Sequence, residues 1–96
     1  MKDMAALLKS KKWSVEAVAG ETDTWLLIPN KEGADPLYVQ KFTPEGSQEM
    51  VEVSDRQSDL RGVQSKSLAT LKMHALVAWR LRKEGLVVVG NMKPWF

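Results

Sequence analysis

Apolar positions in this chain follow one rhythm at the start, a second through the middle and a third near the end. Asp3 is a suitable N-cap, and Met4, Leu7 and Leu8 follow at helical spacing, which predicts a short helix over residues 3–11. From Trp13 the period becomes two. Trp13, Val15, Ala17 and Ala19 alternate with Ser14, Glu16 and Val18, the pattern of a half-buried strand. Gly20-Glu21-Thr22-Asp23 has the composition of a hairpin turn, and the bulky run from Thr24 to Ile28 predicts a second strand stopped by Pro29. A loop over 30–36 leads to a third strand, Leu37 to Phe42. Thr43-Pro44-Glu45-Gly46 predicts a turn. Gln48 to Val53 then alternates as a fourth strand, with Met50 and Glu52 on one face and Val51 and Val53 on the other.

Residues 54–64 are polar and hold one glycine, which predicts a flexible loop. Ser65 or Ser67 caps the main helix, expected over 67–83. Gly85 stands where a helix-ending glycine belongs, and Arg80, Arg82 and Lys83 occupy the last turns, where cations suit the helix dipole. Leu86 to Val89 reads as a last short strand, and residues 90–96 as a C-terminal tail. The expected fold is a single α+β domain over residues 1–96. It has an antiparallel four- to five-stranded sheet, a short N-terminal helix and one long C-terminal helix, with the helices on one sheet face.

The long helix does not show a single apolar stripe. Leu68, Leu71, Ala75 and Trp79 fall on one side, while Met73, Val77 and Leu81 fall largely on the other. A helix that is apolar on two sides is expected to be covered on both. The sheet supplies one cover. The short helix, the tail or a second copy of the chain supplies the other.

Composition narrows the chemistry. The chain has 96 residues, 44% of them hydrophobic and 27% charged, as ordinary globular domains have. No apolar run approaches the roughly 20 residues a membrane helix needs, so no membrane partner is expected. The N-terminus lacks an uninterrupted apolar region and a small-residue cleavage site, so no secretory signal is expected. There is no cysteine, which removes disulfides, thiolate nucleophiles and cysteine-ligated zinc, and fits a cytoplasmic location. The single histidine, His74, leaves zinc short of ligands. Asp55 with Asp59, or Glu49 with Glu52, supply oxygen ligands without any metal-loop pattern. His74 has no accompanying nucleophile–base–orienter arrangement. No metal, no cofactor and no enzymatic activity are expected.

The net charge is only +2, yet the charges are unevenly placed. Lys9, Lys11 and Lys12 cluster near the start, Arg80, Arg82 and Lys83 near the end, and the acids lie mostly between Glu16 and Asp59. An antiparallel layout can bring both basic clusters to one surface. With Lys66 they form the candidate nucleic-acid contacts: Lys9, Lys11, Lys12, Lys66, Arg80, Arg82 and Lys83. The bland reading of each cluster is a solvated helix end, with Trp13 anchoring the core. The stretch Gly62 to Lys72 resembles the opening of the second helix in double-stranded-RNA-binding domains, where a Ser-Lys-Lys run grips phosphates. Ser67 replaces the second lysine of that run here, and Met73-His74 interrupts the alanine-rich segment that should follow.

Four tryptophans are present. Trp13, Trp25 and Trp79 suit core positions, whereas Trp95 lies in the terminal Lys93-Pro94-Trp95-Phe96 and either folds back or docks on a partner. Two functions are therefore expected. The first is a small nucleic-acid-binding or regulatory protein. The second is a protein–protein adaptor or inhibitor, homodimeric in one form, that uses Met73, Val77 and Leu81 or Trp95 and Phe96 as its contact.

Overall fold

The computed structural model describes residues 3–55 and 67–90. The elements run in the order α1 (Met4–Leu8), β1 (Trp13–Ala17), β2 (Thr24–Pro29), β3 (Leu37–Phe42), β4 (Met50–Ser54), α2 (Leu68–Lys83) and β5 (Val87–Gly90). Four strands follow one another as an antiparallel meander, because each link is too short for anything but a reversal. The fifth behaves differently. β5 pairs with β4 in parallel, Val51 opposite Val88, giving the order β1-β2-β3-β4-β5. A 16-residue helix separates β4 from β5 and carries the chain back along the sheet, so β5 starts from the same end as β4. The fold is α+β as expected, its five-stranded sheet mostly antiparallel with one parallel pair at the β5 edge.

Register decides which side chains meet the helices. Leu27 lies opposite Leu37, Val39 opposite Val53, and Val51 beside Val88. Leu27, Leu37, Val39, Val51 and Val53 are all fully buried, and Trp13 is nearly so. Met4 and Leu8 of α1 and Met73, Val77 and Leu81 of α2 complete the same cluster. Burial of a side chain of this size contributes about 1.5–3 kcal/mol. The other sheet face carries Leu26, Ile28, Tyr38, Gln40, Phe42, Met50 and Glu52, all half-buried.

α1 ends at Leu8, short of the expected residue 11. The indole Nε1–H of Trp13 donates to the Leu8 carbonyl at 2.7 Å, occupying an acceptor that a continuing helix would use. The Lys12 amide turns instead to the Ser10 hydroxyl at 3.0 Å. β1 ends at Ala17, and Ala17 and Ala19 are exposed, so the alternation read to Ala19 overshoots the strand. Of the expected flexible loop, Ser54 and Asp55 are buried, and the remainder lies outside the described residues. The expected tail likewise lies outside them beyond Gly90, where β5 ends.

α2 has a defined start and stop. The Ser67 hydroxyl accepts from the Thr70 amide at 3.1 Å and donates to the Gly33 carbonyl at 2.6 Å. With its one proton committed to Gly33, Ser67 must accept from the Thr70 hydroxyl, 2.8 Å away. Thr70 in turn accepts from the Asp35 amide at 2.9 Å. This chain of hydroxyls ties the β2–β3 loop to the start of α2. At the other end, the Gly85 amide bonds to the Arg82 carbonyl at 2.9 Å and the Leu86 amide to the Leu81 carbonyl at 3.1 Å. Gly85 has φ +88°, the left-handed conformation this paired closure requires.

The two-sided reading of α2 needs correction. Thr70, Met73, Val77, Ala78 and Leu81 point into the core, so Met73, Val77 and Leu81 are not available as a contact surface. The sheet and α1 cover that side. The opposite side stays open among the described residues: Leu68 is 66% and Trp79 is 57% exposed. Trp79, expected in the core, is therefore a surface residue. Trp25 is half-buried against the core cluster.

Candidate functional site

The hydrogen bond that joins α1 to α2 also joins the two basic clusters. Arg80 donates from Nη1 to the Lys9 carbonyl at 2.7 Å, and its guanidinium stands 5.5 Å from the centroid of the Trp13 ring. Trp13 is 3% exposed, so it serves as the anchor for this junction. Lys9, Lys11 and Lys12 are exposed, in the loop between α1 and β1, and Arg82 and Lys83 are exposed in the last turn of α2. Lys66 lies outside the described residues, as do Trp95 and Phe96. Of the stretch resembling the RNA-binding helix, Ser67 to Lys72 are described, and they cap and open α2.

Charge divides with the layers. Residues 3–13 and 67–84, the helices with their adjoining loop, carry Lys9, Lys11, Lys12, Lys72, Arg80, Arg82 and Lys83 against only Asp3 and Glu84. Residues 14–55, the meander, carry Glu16, Glu21, Asp23, Glu32, Asp35, Glu45, Glu49, Glu52 and Asp55 against only Lys31 and Lys41. Lys41 pairs with Glu49 at 3.8 Å within the meander.

The open side of α2 gathers the cations into a line. Leu68, Lys72, Ala75, Trp79 and then Arg82 and Lys83 recur every three or four residues and are all exposed. From Lys72 to Lys83 the line is about 16 Å long at the rise of an α-helix. The Lys83 ammonium lies 5.0 Å from the centroid of the Trp79 ring, within cation–π range. Lys72 and Trp79 escaped the sequence reading as functional residues. The signal was present in their spacing from Arg82 and Lys83, but nothing in the pattern alone said which side of the helix faces the sheet.

Lys72 also borders a cleft of about 430 Å³ between α2 and the end of β2. Lys12, Lys31 and Lys72 stand around it, and Ala34, Ala69, Met73 and Leu76 supply apolar lining. Among the described residues no carboxylate lines it. Asn30, also in the lining, is held by a bond from its Nδ2 to the Lys11 carbonyl at 2.8 Å and by its amide to the Lys12 carbonyl at 2.9 Å. Lys31 is a further candidate the sequence reading missed, because only the β2–β3 connection brings it to the basic side.

His74 is half-buried. Its Nε2 is 3.1 Å from the Val53 carbonyl. Burial lowers its pKa below the usual 6.5; the Val53 carbonyl opposes that, Arg82 adds to it, and Asp55 opposes it. Gly90 adjoins the ring so closely that a Cβ there would stand 2.8 Å from Nε2. The ring is thus fitted between β4 and β5, bonding to the backbone of one and packed on the other. Among the described residues there is no group of three or more histidine, aspartate or glutamate side chains placed to hold a metal. No described helix is long and apolar enough to cross a membrane.

Compared with known protein families, curated proteins and solved structures, the chain matches none.

Proposed function

We propose that this domain is a non-enzymatic nucleic-acid-binding protein, regulatory in role, that lays a phosphate backbone along the open side of α2 and the adjoining α1–β1 loop. The observation that supports it most is Trp79. A large aromatic ring more than half exposed, set between Lys72 and the Arg82–Lys83 pair, combines a surface for base stacking with cations for phosphates. Lys9, Lys11, Lys12, Lys72, Arg82 and Lys83 neutralise phosphates. Arg80 positions the loop through its bond to Lys9. Phosphate contacts of this kind set affinity and orientation without reading sequence.

The test is fluorescence anisotropy of a labelled oligonucleotide across a salt series. With these six cations on phosphates, affinity should fall by about 300-fold for a single strand and about 2,000-fold for a duplex between about 50 and 200 mM salt. Absence of binding at micromolar protein and low salt, for single strands and duplexes alike, overturns the proposal. The rival is a protein adaptor that docks through Leu68 and Trp79, whose exposure favours it. Such docking would weaken little with salt, and a homodimer would show its mass by light scattering.

A further inference from the structure

We infer that the cleft beside Lys72 receives one unpaired nucleotide of a single strand whose backbone lies along α2. This rests on the nucleic-acid reading above and deepens it by assigning a place to one unpaired base. Three features of the cleft carry it. Its volume of about 430 Å³ lies within the range of small-ligand sites. Its lining combines apolar side chains with three lysines, matching a ligand with a flat, weakly hydrated body and an anionic attachment. Lys72 belongs both to the cleft and to the exposed line on α2, so a strand bound on that line passes the cleft mouth.

The alternatives fit less well. A free inorganic anion would use Lys12, Lys31 and Lys72 but leave the surface of Ala34, Ala69 and Leu76 uncovered. A duplex keeps its bases stacked and paired, so it meets the cations of α2 and leaves the cleft empty. Single strands splay bases out, and such bases are read in apolar pockets by contacts to their faces and edges. Asn30 supplies the side-chain oxygen in the lining that can accept from a base edge, since its nitrogen is committed to Lys11. A second hollow of similar volume, between α1 and β1, offers Lys9 as the one cation among the described residues of its lining, too few to hold the attached phosphates.

The experiment measures binding of a labelled single strand of about twelve nucleotides, within the footprint of small single-strand binders, and of its duplex. It uses the full chain and an Ala69→Leu variant. Leucine at this half-buried helix position suits the helix and fills the cleft, leaving Lys72, Trp79, Arg82 and Lys83 in place. The expected result is a single strand bound about tenfold or more tighter than the duplex, with Ala69→Leu weakening the single strand about fivefold or more while duplex affinity and the share of the preference due to Trp79 hold. Methyl resonances of Ala34 and Ala69 should shift with adenosine monophosphate and not with inorganic phosphate. If circular dichroism shows Ala69→Leu unfolded, Ala34→Leu on the opposing wall replaces it. Single-strand affinity unaltered by the filled cleft overturns this inference and leaves the binding surface on α2 standing. No binding of either form, with no methyl shift, removes both.

Discussion

The two sides of α2 hold the same kinds of residue and do opposite things. On the inner side Leu81 is fully buried, and Met73 and Val77 are nearly or fully so. On the outer side Leu68 and Trp79 are mostly in water. Hydrophobicity does not distinguish a Leu81 from a Leu68. What differs is company: inner apolar residues face Val39, Val51 and Val53 of the sheet, while outer ones alternate with Lys72, Arg82 and Lys83. An apolar residue set opposite a sheet serves the fold itself, whereas one left open among cations on a helix face adds little to the fold and, under the proposed function, meets the ligand. The inner side should therefore govern stability and the outer side binding.

The largest expected effect is on the inner side. Leu81→Ala removes a fully buried side chain, and unfolding by urea should show a loss of about 2–5 kcal/mol. A loss below about 0.5 kcal/mol would mean that the inner side is no more important to stability than an ordinary surface.

Trp79→Ala is the complementary change. Stability should alter by no more than about 0.5 kcal/mol, as at ordinary surface positions. Single-strand affinity should fall by about 1–3 kcal/mol, the usual worth of a stacked base. Anisotropy and urea unfolding on the same variant separate the two. A variant that unfolds readily would place Trp79 with the inner residues, and one that binds unchanged would take the stacking platform away.

The smallest effect lies on the boundary between the sides, at half-buried His74. Its pKa in the fold is lowered, chiefly by burial, so folding favours the neutral ring over the charged one. The stability that depends on it is fully present above the unfolded value of 6.5 and is lost as pH falls below that toward the lowered folded value. Urea midpoints measured at about pH 7 and about pH 5 should fall with acidification, and His74→Gln, which keeps a donor for the Val53 carbonyl, should flatten part of that fall. An equal fall in both proteins would show that the ring titrates as freely as an exposed one.

Much of the architecture was legible because local signals agreed with one another. Leu37 to Phe42 forms β3 with the boundaries the alternation predicts, and Val51 and Val53 face inward as their phase requires. Ser67 and Gly85 delimit α2 as capping chemistry predicts, since both act within a few residues of themselves. What was not legible depends on contacts distant in the chain. The early end of α1 follows from the Trp13 indole taking the Leu8 carbonyl. The outward position of Trp79 follows from which side of α2 meets the sheet. Of the candidate site, the two basic clusters were visible as charge, and Lys9 and Arg80 do meet. The cleft was not visible, because Lys12, Lys31 and Lys72 come from three separate segments.

The parallel pairing of β4 with β5 has a consequence in time. Each strand of the meander has its partner a short turn away, so β1 to β4 can zip together with little loop to close. β5 has no such neighbour: its partner lies on the far side of α2, and it gains its ladder only once the helix has swung back over the sheet. The chain should therefore assemble in two movements, a fast local one that builds the meander and a slower one that brings helix and last strand home together. The cationic face would come into being only with the second, at the moment the sheet is completed.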